Sequence, residues 1–268
     1  MSGSIFLETV RRNWRGMLLW GLGIALMAAY IVLIIPDSKT LQQYSSLIKT
    51  LPSVLINAIG GGDAASIGTP AGFMAYGFFG WIMLVMATYG VLAGLNITAN
   101  EEDRGIMDVL LSLPLPRWRI VLEKFLAYCV IIAVIVLFSV VVLIWGIQNS
   151  VALNSIPISR VLESSLNFIP STLLVMAFTA FVAVIVRRRT TAAAIAAVFV
   201  IASWFIDTLG RSAPSTDVLR TLSFFRYYDS SGVMQNGLVL ANVFGLLGVV
   251  VLLLVGTVWL FQRRDVGV

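Results

Sequence analysis

Long apolar stretches broken by short polar ones dominate the chain. Six runs, at 17–35, 72–97, 120–147, 170–186, 191–209 and 238–261, are each about as long as the roughly 17–25 residues a helix needs to cross a bilayer. Glu123 and Lys124 occupy the entry turn of the third, which leaves 125–147 as its uncharged part. The fourth and fifth runs would read as one helix but for Arg187-Arg188-Arg189 between them. An arginine at mid-bilayer costs about 2.5–3.5 kcal/mol, so three together cost on the order of 9 kcal/mol. A hairpin with the triplet in water is therefore predicted. The expected fold is all-α and polytopic, a single transmembrane domain over 1–268 with an outer loop at 210–237.

Composition agrees. Hydrophobic residues make up 59% of the 268 positions and charged ones 12%, with a mean hydropathy of +0.96. A soluble domain carries about 25% charged residues, so most of this surface must face lipid. Charge then sets direction. With the N-terminus inside, twelve of the 18 Lys and Arg fall in inner segments and six in outer ones, as the positive-inside rule requires. Both termini are expected to be cytoplasmic. The net charge of +5 is explained by this clustering, so no nucleic-acid partner is expected. The first run is too long for a signal-peptide core and is expected to remain as a span. Cys129, inside an apolar run, is the one cysteine and has no intrachain disulfide partner.

Two inner segments stand out. At 1–16, Phe6, Val10, Trp14 and Met17 share a helical face, while Glu8, Arg11, Arg12 and Arg15 lie largely on another. This predicts an interfacial amphipathic helix with Trp14 at headgroup depth and its arginines toward anionic lipid. At 99–116, Ile106, Val109, Leu110 and Leu113 recur at helical spacing, opposite Glu101, Asp108 and Ser112. Pro114 and Pro116 end that helix, and Arg119 and Glu123 are spaced to pair as the third span begins. A short, charged, proline-terminated helix held between two spans reads as a docking element on the cytoplasmic face.

The run Glu102-Asp103-Arg104-Gly105-Ile106-Met107-Asp108-Val109-Leu110-Leu111-Ser112-Leu113-Pro114-Leu115-Pro116-Arg117, followed by Lys124, resembles the hallmark of ABC-2-type permeases, the membrane subunits of ATP-binding-cassette exporters. The stretch Leu51-Pro52-Ser53-Val54-Leu55, then Gly60-Gly61-Gly62 and Thr69-Pro70-Ala71-Gly72-Phe73, is similar to the first outer loop of one subgroup. Ser223-Phe224-Phe225-Arg226-Tyr227-Tyr228-Asp229 resembles that subgroup's Ser-Pro-Phe-x-Tyr-Tyr segment, with Phe224 where proline is common, and Phe261-Gln262-Arg263-Arg264-Asp265-Val266 resembles its ending. The resemblance implies a second permease, identical or related, and two cytoplasmic ABC ATPase subunits that bind ATP and Mg; no cofactor is expected in this chain. It further implies that Glu101, Glu102, Arg104, Gly105, Asp108, Leu111, Pro114 and Arg117 form the ATPase-coupling segment, with the N-terminal helix bracing the same surface. A prokaryotic plasma (inner) membrane is the expected location.

Other chemistry is excluded or left open. Histidine is absent, which removes zinc proteases with paired His ligands and Ser–His dyads, and there is no Gly-rich phosphate loop ending in Lys-Ser or Lys-Thr. The chain is not expected to be an enzyme. Asp207 lies near an outer span end and no charge lies at a span centre, which disfavours a self-contained secondary transporter. That class and a passive channel remain the alternatives. Gly90 and Gly94 form a Gly-x-x-x-Gly pair suited to close helix packing, locally or at a dimer seam. Phe79, Met83 and Met86 share a face that would line a pathway for an apolar substrate or meet lipid or a neighbouring helix. Val218, Leu222 and Phe225 recur at helical spacing, predicting a half-buried outer helix that acts as a lid. In the alternative, Phe224, Tyr227 and Tyr228 anchor the segment at the headgroups.

Overall fold

The computed structural model describes residues 3–35, 37–52, 68–103, 116–212 and 217–263. Without water in the hydrocarbon, each backbone N–H and C=O must find its partner inside the chain, and the described residues answer with helices. Six are long and apolar enough to cross a membrane: span one Ser4–Ile34, span two Pro70–Thr98, span three Trp118–Asn149, span four Ile158–Val186, span five Arg189–Arg211 and span six Leu240–Arg263. Six crossings leave both ends of the chain on one side, called here the termini side; the other is the far side.

The expected runs recur with three differences. Span one is a single helix that takes in most of the region read as a separate interfacial helix at 1–16. Span four begins twelve residues before position 170, because the helix Ile158–Leu166 leads through Asn167 into Phe168–Val186. Residues 38–49, which had no helical expectation, form the far-side helix Ser38–Lys49. Asp37 caps it, accepting from the Thr40 N–H and Oγ1 at 2.8 Å each. The hairpin at the arginine triplet is as expected. Span four ends at Val186, Arg187 takes the left-handed conformation (φ 60°) with its N–H on the Ala183 carbonyl, and all three arginines are exposed.

Pairing follows the direction of the spans. Spans one and three run parallel along their length: Gly3 lies near Glu123, Gly21 near Phe138, Gly146 near Val32, and Ile35 near Ser150. Spans two and four also run parallel, and span four packs on spans five and six. Span four is the most enclosed, with 72% of its apolar stretch buried, against 17% in span six. Spans two, three and four thus form the centre, and spans one, five and six present Leu26, Phe205 and Leu252 outward.

At the tightest seam a glycine is required. A Cβ on Gly94 would lie 2.5 Å from the Met176 carbonyl oxygen and 2.6 Å from the Thr179 Cβ; on Gly90 it would lie 3.0 Å from the Thr172 oxygen. Nothing lies within 4 Å of the corresponding point on Gly248. Lipid tails are as apolar as the side chains, so close backbone approach supplies the attraction between such helices. Gly94→Val is expected to destabilise the protein by about 1–3 kcal/mol through overpacking, and Gly248→Val by under about 0.5 kcal/mol, measured by reversible unfolding in mixed micelles. Equal effects would show that the seam is not closely packed.

Candidate functional site

On the termini side, span three begins at a junction. The first turn of span one exposes backbone donors that need acceptors, and Gly3, its N-cap in the left-handed conformation, has no side chain to supply one. Glu123 supplies it from span three. Its carboxylate accepts from the N–H groups of Gly3 (3.2 Å), Ile5 (3.1 Å) and Phe6 (3.2 Å). Arg119 Nε donates to the same group at 2.6 Å, the pairing expected from their spacing. The neighbouring Lys124 is buried and sends Nζ to the Ile97 carbonyl at the end of span two, 3.5 Å away. Adjacent residues of one helical turn therefore hold both flanking spans.

Between spans two and three lies the expected coupling segment. Glu101 and Glu102 lie in the last turn of the helix Gly80–Asp103, and Arg117 opens the helix Arg117–Asn149. Arg104, Gly105, Asp108, Leu111 and Pro114 lie outside the described residues. On span one, Arg11, Arg12 and Arg15 are exposed, with Arg15 over the Trp14 ring at 5.5 Å from its centroid. Phe6, Val10 and Met17 are half-buried, but Trp14 does not join them: it is 47% exposed. The structure brings the N-terminal turn to the base of span three, a contact beyond reach of local sequence patterns.

For two other groups the sequence leaves more than one reading each. Gly90 and Gly94 pack against span four of the same chain, so they serve the local seam. Phe79, Met83 and Met86 are each at most 1% exposed and belong to the interior cluster. With no surface open to a substrate, they are core residues in this conformation and meet neighbouring helices.

The far side carries a second polar assembly that charge patterning did not reveal. Asp207, near the end of span five, accepts from Arg211 Nε at 2.8 Å and Arg220 Nε at 3.1 Å. Arg220 also reaches Asp217 at 3.0 Å, and Arg226 Nη1 donates to the Asp217 carbonyl at 3.2 Å. Ser223 Oγ donates to the Ser203 carbonyl at 2.7 Å, while the Phe224 N–H donates back to Ser203 Oγ at 3.3 Å. The Tyr228 hydroxyl reaches the Phe79 carbonyl at 2.7 Å, at the end of the π-helical turn Ala75–Phe79 in span two. Asn167 Nδ2 of span four donates to the Tyr228 carbonyl. Burial pushes the Tyr228 hydroxyl pKa well above its ordinary value, so it remains a donor.

These ties draw the segment after span five into the bundle as the short helices Asp217–Arg220, Phe224–Tyr228 and Ser230–Asn236, within the region read as an outer loop. Phe178, Phe199 and Phe224 stack in sequence, at 4.2 Å and 5.7 Å. The half-buried amphipathic helix is not formed, since Val218 is 77% and Leu222 73% exposed. Phe224 and Tyr228 are buried among protein side chains, so neither is a headgroup anchor. The available sequence signal was the pair of polar residues one turn apart in span five, Ser203 and Asp207, whose partners lie in a distant segment.

Compared with known families, the chain matches the one described as ABC-2 family transporter protein over residues 5–266. No curated protein matches it in sequence.

Removing Asp207 leaves two enclosed guanidinium groups without their shared carboxylate. Asp207→Ala is expected to cost about 3–5 kcal/mol, and Arg226→Ala, at the exposed edge, under about 1 kcal/mol. Reversible unfolding in bicelles measures both; similar small losses would mean that the cluster does not hold the far-side segment.

Proposed function

The chain belongs to the ABC-2 family of transporter proteins, and we propose that it is the permease subunit of an ATP-driven exporter. The match over residues 5–266 carries the reading. In it, two permeases, identical or related, enclose the substrate path, and two ABC ATPase subunits bind ATP with Mg on the cytoplasmic side. The termini lie in the cytoplasm of a prokaryotic cell, and the segment 99–116 is the coupling element docked on an ATPase.

The geometry supports a mechanical role for the base of span three. Residues 99–116 run from the end of span two to the start of span three. Glu123 and Lys124, about two turns beyond that segment, are joined to span one and span two. A push on the segment by closing ATPases would reach three helices at once. Spans one and three, paired from Gly3 to Ser150, would respond as a unit. The uncharged span centres also fit an energy source outside this chain, because ion-coupled transporters usually carry acids at depth.

Asp108→Lys reverses a charge on the expected docking face, and Gly105→Pro places a helix breaker in the segment expected to carry it. Each is expected to abolish co-purification of a vanadate-sensitive ATPase from membranes while the protein inserts at wild-type level. Undiminished ATPase association in both variants overturns the coupling assignment. Substrate transport by the purified chain without nucleotide would instead favour a self-contained transporter.

A further inference from the structure

The exposed basic face of span one has a defined depth. Ser150 Oγ lies 3.5 Å from the Ile35 carbonyl, so the far-side ends of spans one and three are level. Ile35 is the last apolar residue before the exposed cap Asp37. At 1.5 Å per residue, a hydrocarbon core of roughly 30 Å covers about 20 residues back from that point and ends near Arg15. Span six gives an independent measure. It begins at Leu240, and about 19 residues on stands Trp259, half-exposed and with Arg263 4.1 Å above its ring. Trp14 and Trp259 thus stand at similar helical distances from the far-side ends of their spans, as suits the preference of tryptophan for a membrane interface.

Arg11 and Arg12 extend about 4–6 Å beyond Arg15 along the helix, within the layer of roughly 5–7 Å that headgroups occupy in each leaflet. All three arginines are exposed; Glu8 is the one acid on that face. Glu123 and Arg119 lie farther out on the termini side, level with Gly3 to Phe6, where the carboxylate holds the start of span one against span three. The clamp faces one side of the helix while the arginines point away from it. A helix with this basic face would otherwise be free to tilt or fray; pinned, it presents three guanidinium groups at phosphate level.

We propose that Arg11, Arg12 and Arg15 form a binding site for the phosphate headgroup of an anionic phospholipid, with Glu123 as the positioning residue that holds them at that depth. The inference goes beyond the transport reading and does not depend on it. Guanidinium groups pair with phosphate oxygens in fork geometry, and Trp14, beside Arg15, supplies an amphipathic wall at the same level.

The full chain is tested alone in lipid nanodiscs, of phosphatidylcholine or of phosphatidylcholine with about 30% phosphatidylglycerol. The wild type is expected to melt about 3–6 °C higher with the anionic lipid. The triple variant Arg11→Gln, Arg12→Gln, Arg15→Gln should match the wild type in phosphatidylcholine and lose that shift. Glu123→Ala should lose at least half of it. Arg187→Gln, Arg188→Gln, Arg189→Gln, with the same change in charge at the hairpin between spans four and five, should keep most of it.

A wild type indifferent to the anionic lipid overturns the proposal, and so does an undiminished shift in the first triple variant or an equal loss in the second. Inorganic phosphate reproducing the shift in phosphatidylcholine discs would identify a free-anion site in place of a lipid site. A first triple variant that keeps the lipid shift but loses a co-purifying ATPase would assign the face to a protein partner.

Discussion

Everything here depends on the cost of leaving a polar group unpaired where water is absent. An unsatisfied amide or hydroxyl in hydrocarbon costs several kcal/mol, and an isolated charge more. That cost makes each crossing a helix and moves charge to the span ends. There the charges pair. Arg119 joins Glu123 on one side; Arg211 and Arg220 share Asp207 on the other. Two central hydroxyls obey the same rule with shorter reach, Ser139 donating to the Val136 carbonyl and Thr179 to that of Val175 within their own helices, whereas Thr172 Oγ1 is buried without a partner among the described residues.

Within a bilayer the hydrophobic effect does not press one helix on another, so contact must come from fit. The centre shows two forms of it. Gly90 and Gly94 bring span two against the backbone of span four. Toward the far side the same two spans meet through rings, with Phe79 stacked on Phe168 at 5.5 Å and Phe168 on Tyr228 at 5.9 Å. The π-helical turn Ala75–Phe79 lies where the small-residue contact gives way to the aromatic one. Its last carbonyl takes the Tyr228 hydroxyl, which ties this change of packing to the far-side segment.

The sequence read well where the signal was local and large. Six spans and the hairpin at Arg187 follow from hydropathy summed over some twenty residues and from the cost of buried arginine. Signals of one or two residues read poorly. The helix Ser38–Lys49 had an Asp37 cap and Leu41, Tyr44 and Ile48 at helical spacing, but low hydropathy concealed it among the loops. Met83 and Met86 share a face in any helical projection; whether it meets a cavity or a neighbour depends on span four, which local periodicity does not encode. Asp207 was visible as a charge at a span end, but its partner Arg220 is thirteen residues away across a segment of irregular composition. Arg211, Arg220 and Arg226 had been counted for topology, and their pairing appears only when the chain folds back.

Glu123 shows most directly what local reading omits. From sequence it is a partner for Arg119 one turn earlier, and that pairing is present at 2.6 Å. A serine or aspartate just before span one would have satisfied the first-turn amides equally well, as Asp37 does for its own helix. A local cap adds nothing to tertiary structure, because it moves with the helix it caps. Placing the acceptor on another span, 117–120 residues away in sequence, uses the same hydrogen bonds to fix one helix against another. Lys124 adds a second tie, to the Ile97 carbonyl within the helix Gly80–Asp103. The free amides that the first turn of span one must present thus become a fastening of the base, and two consecutive side chains of span three reach both neighbouring spans.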